Sequence, residues 1–415
     1  RDFVLKAITA GPAALRHASK DLRTSKDFIS AAVKADASAL QFVDETLRRN
    51  QDIVMAAIRK DGSALAYVDK ELRESRRIVT IAVKSFPCAL AFAGEDLRAD
   101  WDLVLSAVRT DGAAFAHAAD CLREDWDFAL AAVKVNISAL AQAAPNMREN
   151  VDFVKAAVRM RSHALQHAEE VWRRDRSVVM VALETSGFAL QFADPVLRDD
   201  KDIVLAAVKC SAGALTFASS RLQGDKEVVL TAVCASPSVL EHAADSLRED
   251  RDVVLAAVSQ CGFALKFAGA GLKADQEVVL AAVKKSASIL EHVPASVREN
   301  KELVLAAAAA NPSALAYASE KLKDDKAFVL QVMQKKGEAL KCVEDKFKDD
   351  RDVVMAAVKS CGSALEFATE RLREDREVVL AALSVEGSAL MHASAALRAE
   401  RVVVLAAVAK DGSSL

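Results

Sequence analysis

The sequence predicts an all-α solenoid, a superhelix of stacked two-helix repeats with a 25-residue period, on three observations. The 415 residues fall into sixteen full rows of 25 and a truncated seventeenth without a gap. The apolar positions of each row keep helical spacing, and the row junctions carry residues that start and stop helices. Row eleven reads RDVVLAAVSQCGFALKFAGAGLKAD from Arg251, and row fifteen reads RDVVMAAVKSCGSALEFATERLRED from Arg351. Self-similarity at such a period marks stacked supersecondary units. One continuous array over residues 1–415, without a domain break, is the expectation.

Each row begins with a helix. Position 25 is Ser, Asp or Asn at every junction but Glu400, and these side chains accept the free amides of a helix start. The first helix therefore covers positions 1 to 10. Acidic residues at position 2 (Asp27, Asp52, Asp102, Asp252) and basic ones at position 9 (Lys34, Arg59, Lys84, Arg109) both suit the dipole of a helix running in this direction. Gly or Pro at position 12, as in Gly62, Gly112, Gly262, Gly362, Pro12, Pro87, Pro237 and Pro312, ends it.

A second helix follows over roughly positions 13 to 18. Pro145 and Pro195 at position 20 predict a short extra turn over positions 20 to 23. Apolar residues recur at 3, 4, 7, 8, 14, 15, 18 and 22. Position 7 is Ala in every row except at Val332, and position 18 is only Ala or Val, so helices approach closely at both. Position 15 is Leu except at Phe115, and position 22 is Leu apart from Met147, Trp172, Val297 and Phe347; these are the core plugs. A ten-residue helix is about 15 Å long and marginal alone, so stacking must stabilise it. Stability is then distributed along the array.

The pattern DREVVLAAVxxxGxALxFASxxLRxD resembles the repeat family named domain of unknown function 4116, best over residues 351 to 400 and along essentially the whole chain. The resemblance implies a helical-repeat fold and a protist or algal protein. It carries over no catalytic residue. Lys155 at position 5 and Glu184 at position 9 depart from the pattern without disturbing its register.

Composition narrows the function classes. Lys and Arg number 56 against 59 Asp and Glu, a net charge of −3, so no overall positive field favours polyanions. No apolar run approaches the roughly 20 residues of a membrane span, so membrane insertion is not expected. Seven cysteines without a CxxC pair read as free thiols in a reducing, intracellular compartment. The chain opens on Arg1 and stops inside a repeat with no polar capping repeat, so continuation beyond both ends is expected.

Six histidines, His17, His117, His167, His242, His292 and His392, occupy position 17, where most other rows carry Phe or Tyr. Zinc needs ligands about 2.0 to 2.1 Å from one ion, whereas equivalent residues of stacked helices lie about 8 to 10 Å apart. They read as flat side chains on a half-buried surface. No metal, cofactor or catalytic residue is expected: HExxH, GxSxG and a Gly-rich phosphate loop are all absent from the sequence, and a gapless repeat leaves no insertion loop to hold a site.

Position 23 forms a basic stripe of Arg23, Arg48, Arg73, Arg98, Arg123, Arg148, Arg173, Arg198, Arg248, Arg298, Arg373 and Arg398. Acidic residues at 24, 25 and 2 predict that it is a structural Arg-carboxylate ladder tying repeats together; contact with a nucleic-acid backbone is the alternative. One local site stands out. Position 1 is usually Arg or Lys, but three consecutive rows carry Trp101, Trp126 and Val151, an apolar strip. Tryptophan is favoured at interfaces, so the strip is the candidate contact with a protein or peptide; the plainer account is that each ring completes local packing. The expected function is a non-enzymatic protein-interaction scaffold. A nucleic-acid-binding solenoid and a structural spacer within a large assembly are the alternatives.

Overall fold

The computed structural model describes residues 2–411. Every full repeat among them opens on the long α-helix that the caps predict, at positions 1 to 10, with Asp2–Ala10, Lys26–Ala35 and Gln51–Lys60 as the first three. Position 25 caps it through its side chain at every junction except Ser75 and Glu400; Asp250, for example, accepts from the amides of Asp252 at 3.0 Å and Val253 at 3.2 Å. Two further elements follow, one where the second helix is expected and one where the extra turn is expected. The first is a six-residue 3-10 helix at positions 12 to 17, as in Gly62–Tyr67, and the second a short α-helix at positions 20 to 23, as in Pro145–Arg148. The repeat is therefore a long helix, a 3-10 helix and a short helix.

The 3-10 winding has a visible cause. With three residues per turn, positions 12, 15 and 18 eclipse one another. These are the small residue, the Leu and the Ala or Val of each row: Gly62, Leu65 and Val68 are all buried. Position 11, extended at φ near −150° in most repeats, starts this helix, and where it is Asp or Asn its side chain accepts from position 13, as Asp61 does from Ser63 at 2.8 Å. In repeat eleven the short helix is only a turn over 270–273, where Gly271 weakens helix propensity.

The long helix ends at position 10, just before position 12 as expected, and no glycine has positive φ among the described residues, so the stop is not a left-handed one. The position 12 glycines serve close approach between repeats. A Cβ on Gly62, Gly187, Gly262 or Gly337 would overlap the position 7 carbonyl oxygen of the next repeat, at Ala82, Ala207, Ala282 and Ala357.

Contacts gather the chain into two compact units, Arg1–Phe217 and Ala218–Leu415. Each is an all-α tandem-repeat solenoid in which long helices pack on long helices and 3-10 helices on 3-10 helices. In the first, Phe28, Phe128 and Phe153 from position 3 and Phe115 from position 15 are the largest fully buried side chains. In the second, Phe347 replaces the position 22 Leu, and Val332 and Met333 occupy positions 7 and 8 inside one continuous cluster from Val304 to Ala407. The positions predicted as core are the core of the internal repeats, except that position 22 is only half-buried at Leu22, Leu47, Leu72, Trp172 and Leu397, and Phe3 in the first repeat is exposed. The second helix expected of the truncated row, from residue 413, lies outside the described residues.

Candidate functional site

The candidate site is an exception to an ion ladder that runs along the repeats. A carboxylate at position 25 has two oxygens and uses them differently. Oδ1 caps the long helix of the next repeat, while Oδ2 accepts the cation at position 1 of its own repeat. Lys226 reaches Asp250 Oδ2 at 2.9 Å, Lys301 reaches Asp325 at 2.6 Å, Lys326 reaches Asp350 at 2.6 Å and Arg351 reaches Asp375 at 2.9 Å. Arg76 pairs likewise with Asp100, and Arg176 with Asp200. Position 2 adds a second carboxylate, as Asp252 does for Lys226 at 2.7 Å. The hydrogen bond from Lys226 holds the Asp250 carboxyl below the ordinary range, and the pairing raises the Lys226 ammonium.

Position 1, and not position 23, therefore carries the ion ladder between repeats. Among the described residues at position 23, Arg148 alone forms an ion pair with a neighbouring repeat, at 2.9 Å from Glu169. Arg123 and Arg248 turn back on Asp120 and Asp245 of their own short helices. Arg73 and Arg148 donate Nε to the carbonyls of Val68 and Ala143. In Arg23, Arg48, Arg98, Arg123, Arg173, Arg198, Arg248 and Arg298 the Nε is buried without a hydrogen-bond partner, and Arg398 is exposed. The tie at this position is made by the backbone instead. The position 23 carbonyl accepts the position 19 amide of the next repeat, as from Gly269 to Arg248 at 2.8 Å and from Ser394 to Arg373 at 3.1 Å. The acids near position 23 in sequence are equally near position 1, and sequence separation alone does not say which cation points at them.

Repeats five to seven replace the ladder cation with Trp101, Trp126 and Val151. The caps persist at Asp125, Asn150 and Asp175. Where a cation would reach the next repeat, Trp101 places its ring edge-on to Phe128, centroids 4.7 Å apart, and Trp126 does the same to Phe153 at 5.2 Å. An aromatic rung stands in for an ionic one. Both rings complete local packing, yet Trp101 keeps 41% of its surface exposed and Trp126 36%, and Val151 is half-buried. Repeats stacked about 8 to 10 Å apart make the three side chains neighbours.

A second feature escaped the sequence reasoning. Position 9 is basic in six consecutive repeats of the first unit: Lys34, Arg59, Lys84, Arg109, Lys134 and Arg159, all exposed. Arg159 lies 3.9 Å from Glu184, and the other five make no ion pair among the described residues. Exposed Phe86 and Met160 lie within two residues of this row, at positions 11 and 10. A groove of about 540 Å³ at its start has Lys34, Arg59, Lys60 and Arg77 on its walls, with Asp52 and Met55. The text of the sequence contains this run, but its explanation as dipole-matching residues hid it.

The position 17 histidines are half-buried or exposed, as expected, and no group of three potential metal ligands occurs among the described residues. Burial pushes the His167 imidazole down. It lines a cavity of about 200 Å³ between the 3-10 helices Ile137–Gln142 and Ser162–His167, with the Arg148–Glu169 pair and the apolar Leu140 and Val154. Trp172 closes the same corner by donating Nε1 to the Arg148 carbonyl at 2.6 Å. The seven cysteines form no disulfide, and no described helix is long and apolar enough to cross a membrane.

A family model described as Domain of unknown function (DUF4116) matches twelve windows: 1–48, 50–98, 100–148 and 150–198, then eight that advance by one repeat from 175–223 to 350–398. Each window spans two 25-residue repeats, so the family unit is a repeat pair. Comparison with curated proteins and with solved structures gives no match.

Proposed function

Given that the chain belongs to the DUF4116 repeat family, whose description assigns no activity, we propose that it is a non-enzymatic interaction scaffold whose first unit binds a protein or peptide across its long helices. One observation carries this: the ion ladder gives way in three consecutive repeats to Trp101, Trp126 and Val151, and both tryptophans stay more than a third exposed after making their intramolecular contacts. A ladder cation would hold the repeats together equally well. Large rings with few rotatable bonds, left partly open to solvent, are the side chains from which interface anchors are made.

The test is cross-linking mass spectrometry in native material, comparing the chain with Trp101→Arg/Trp126→Arg. Each substitution restores the residue type that other repeats carry, so far-UV circular dichroism should not change. The native chain should give partner cross-links on Trp101–Thr110 and Trp126–Val135 that the variant loses. Cross-links that avoid these helices, or survive the substitutions, would remove the basis for the function.

A further inference from the structure

The unassigned feature is the position 9 row of the first unit. At position 1 a cation braces the next repeat through its position 2 carboxylate, and at position 23 it folds against its own. Lys34, Arg59, Lys84, Arg109 and Lys134 have no such partner. Nor does the fold need them. Cys234, Ser259, Ala309 and Ser384 occupy position 9 in other repeats, and their long helices end at the same position 10. A favourable charge near a helix C-terminus contributes a little to any of these helices, but it does not explain six cations in succession followed by Glu184.

The pitch of the row points to its occupant. Repeats stacked about 8 to 10 Å apart offer one cation per step. Three residues of a peptide in the polyproline II conformation advance about 9 Å and return to the same face, so carboxylates at every third residue would meet the row in register. A duplex nucleic acid presents one negative charge per roughly 1.7 Å of axis, far denser than the row. It would also meet Asp36, Asp61 and Asp111, two residues from Lys34, Arg59 and Arg109. A peptide can leave those places uncharged and set apolar side chains against Phe86 and Met160, which are 40% and 41% exposed.

We propose that the last-turn face of the long helices in repeats two to seven binds an extended acidic protein segment, with carboxylates over Lys34, Arg59, Lys84, Arg109, Lys134 and Arg159 and apolar residues between them. The proposal rests on the interaction-scaffold function above and names the chemistry of the partner. Complementary charge sets the register and speeds encounter, while the apolar side chains slow release.

The probe is a fluorescein-labelled synthetic peptide with Glu at every third position and Leu and Ser between, long enough to cross six repeats, titrated by anisotropy against the whole chain. Its comparators are the same composition with the glutamates clustered, and a poly-dT oligonucleotide of equal charge. The regular peptide should bind tighter than both. Lys84→Ser/Arg109→Ser/Lys134→Ser should weaken it about tenfold near 0.15 M salt, and the equal charge change Lys209→Ser/Lys284→Ser/Lys359→Ser, outside the row, should leave it unaltered. Circular dichroism confirms that both variants fold. Equal binding of the clustered peptide, tighter binding of poly-dT, or no effect of the first variant each overturns the proposal. If the peptide fails while partner cross-links on Trp101–Thr110 persist, the scaffold stands and only the acidic segment falls.

Discussion

Replacing Asp250 tests whether one carboxylate both starts a helix and braces a repeat. In Asp250→Ala the amides of Asp252 and Val253 lose their acceptor, and Lys226 loses one of its two carboxylates and keeps Asp252. Loss of an N-cap costs about 1 kcal/mol. The pair with Lys226 adds less, because a quarter of the Asp250 side chain and nearly half of the Lys226 side chain are exposed. A repeat array opens locally, so the measurement is hydrogen exchange followed by mass spectrometry on peptides covering Arg251–Gln260. About 1 kcal/mol corresponds to roughly fivefold faster exchange through local opening. Asp250→Asn keeps a capping oxygen and removes the charge, so it should exchange much closer to the parent chain. Peptides from Arg351–Ser360 should not change in either variant. Unaltered exchange in Asp250→Ala would show that the cap contributes nothing, and equal loss in both variants would show that charge, not capping, dominates.

Ala257 is fully buried at position 7, and Ala257→Leu should overpack the site by about 1 to 3 kcal/mol, read as a lower denaturation midpoint; an unchanged midpoint refutes the packing. Gly262→Ala drives its new Cβ into the Ala282 carbonyl and should destabilise its neighbourhood, with exchange accelerating in both Gly262–Phe267 and Gln276–Lys285; acceleration in only one would mean that the repeats do not meet there. Because Asp250, Asp325 and Asp194 are held below the ordinary value of 3.8 by Lys226, Lys301 and Arg174, their contribution is complete above about pH 4 and is lost as pH falls through the lowered folded values, so exchange near these caps should accelerate on acidification. In single-tryptophan variants, acrylamide should quench Trp101 and Trp126 more readily than Trp172, whose indole N–H is bonded to the Arg148 carbonyl.

Residues with a single physical purpose were the legible ones. Ala at position 7, Leu at 15 and the carboxylates at 25 each have one structural solution, and the structure places them accordingly. The 3-10 helix was not legible, since over six residues a period of 3.0 and one of 3.6 select nearly the same apolar positions. Gly62 and Gly262 follow the end of the long helix, as their positions predict, but their requirement for glycine comes from a carbonyl in the next repeat, which no local pattern reveals. Arg248 and Lys226 differ in role because their side chains leave different elements in different directions. The Trp101, Trp126 and Val151 strip was visible as text, whereas the edge-on rungs to Phe128 and Phe153 depend on how repeats register.

The two-oxygen carboxylate gives the molecule a direction of growth. Lys226 lies upstream of Asp250, and Asp250 lies upstream of the helix it caps, so a finished repeat that carries the ladder cation presents it to the start of the one that follows. On a ribosome the upstream member of every such pair emerges first. Each new segment meets a docking point already in place, and the solenoid lengthens by accretion at its C-terminal face, as a crystal extends from its exposed layer.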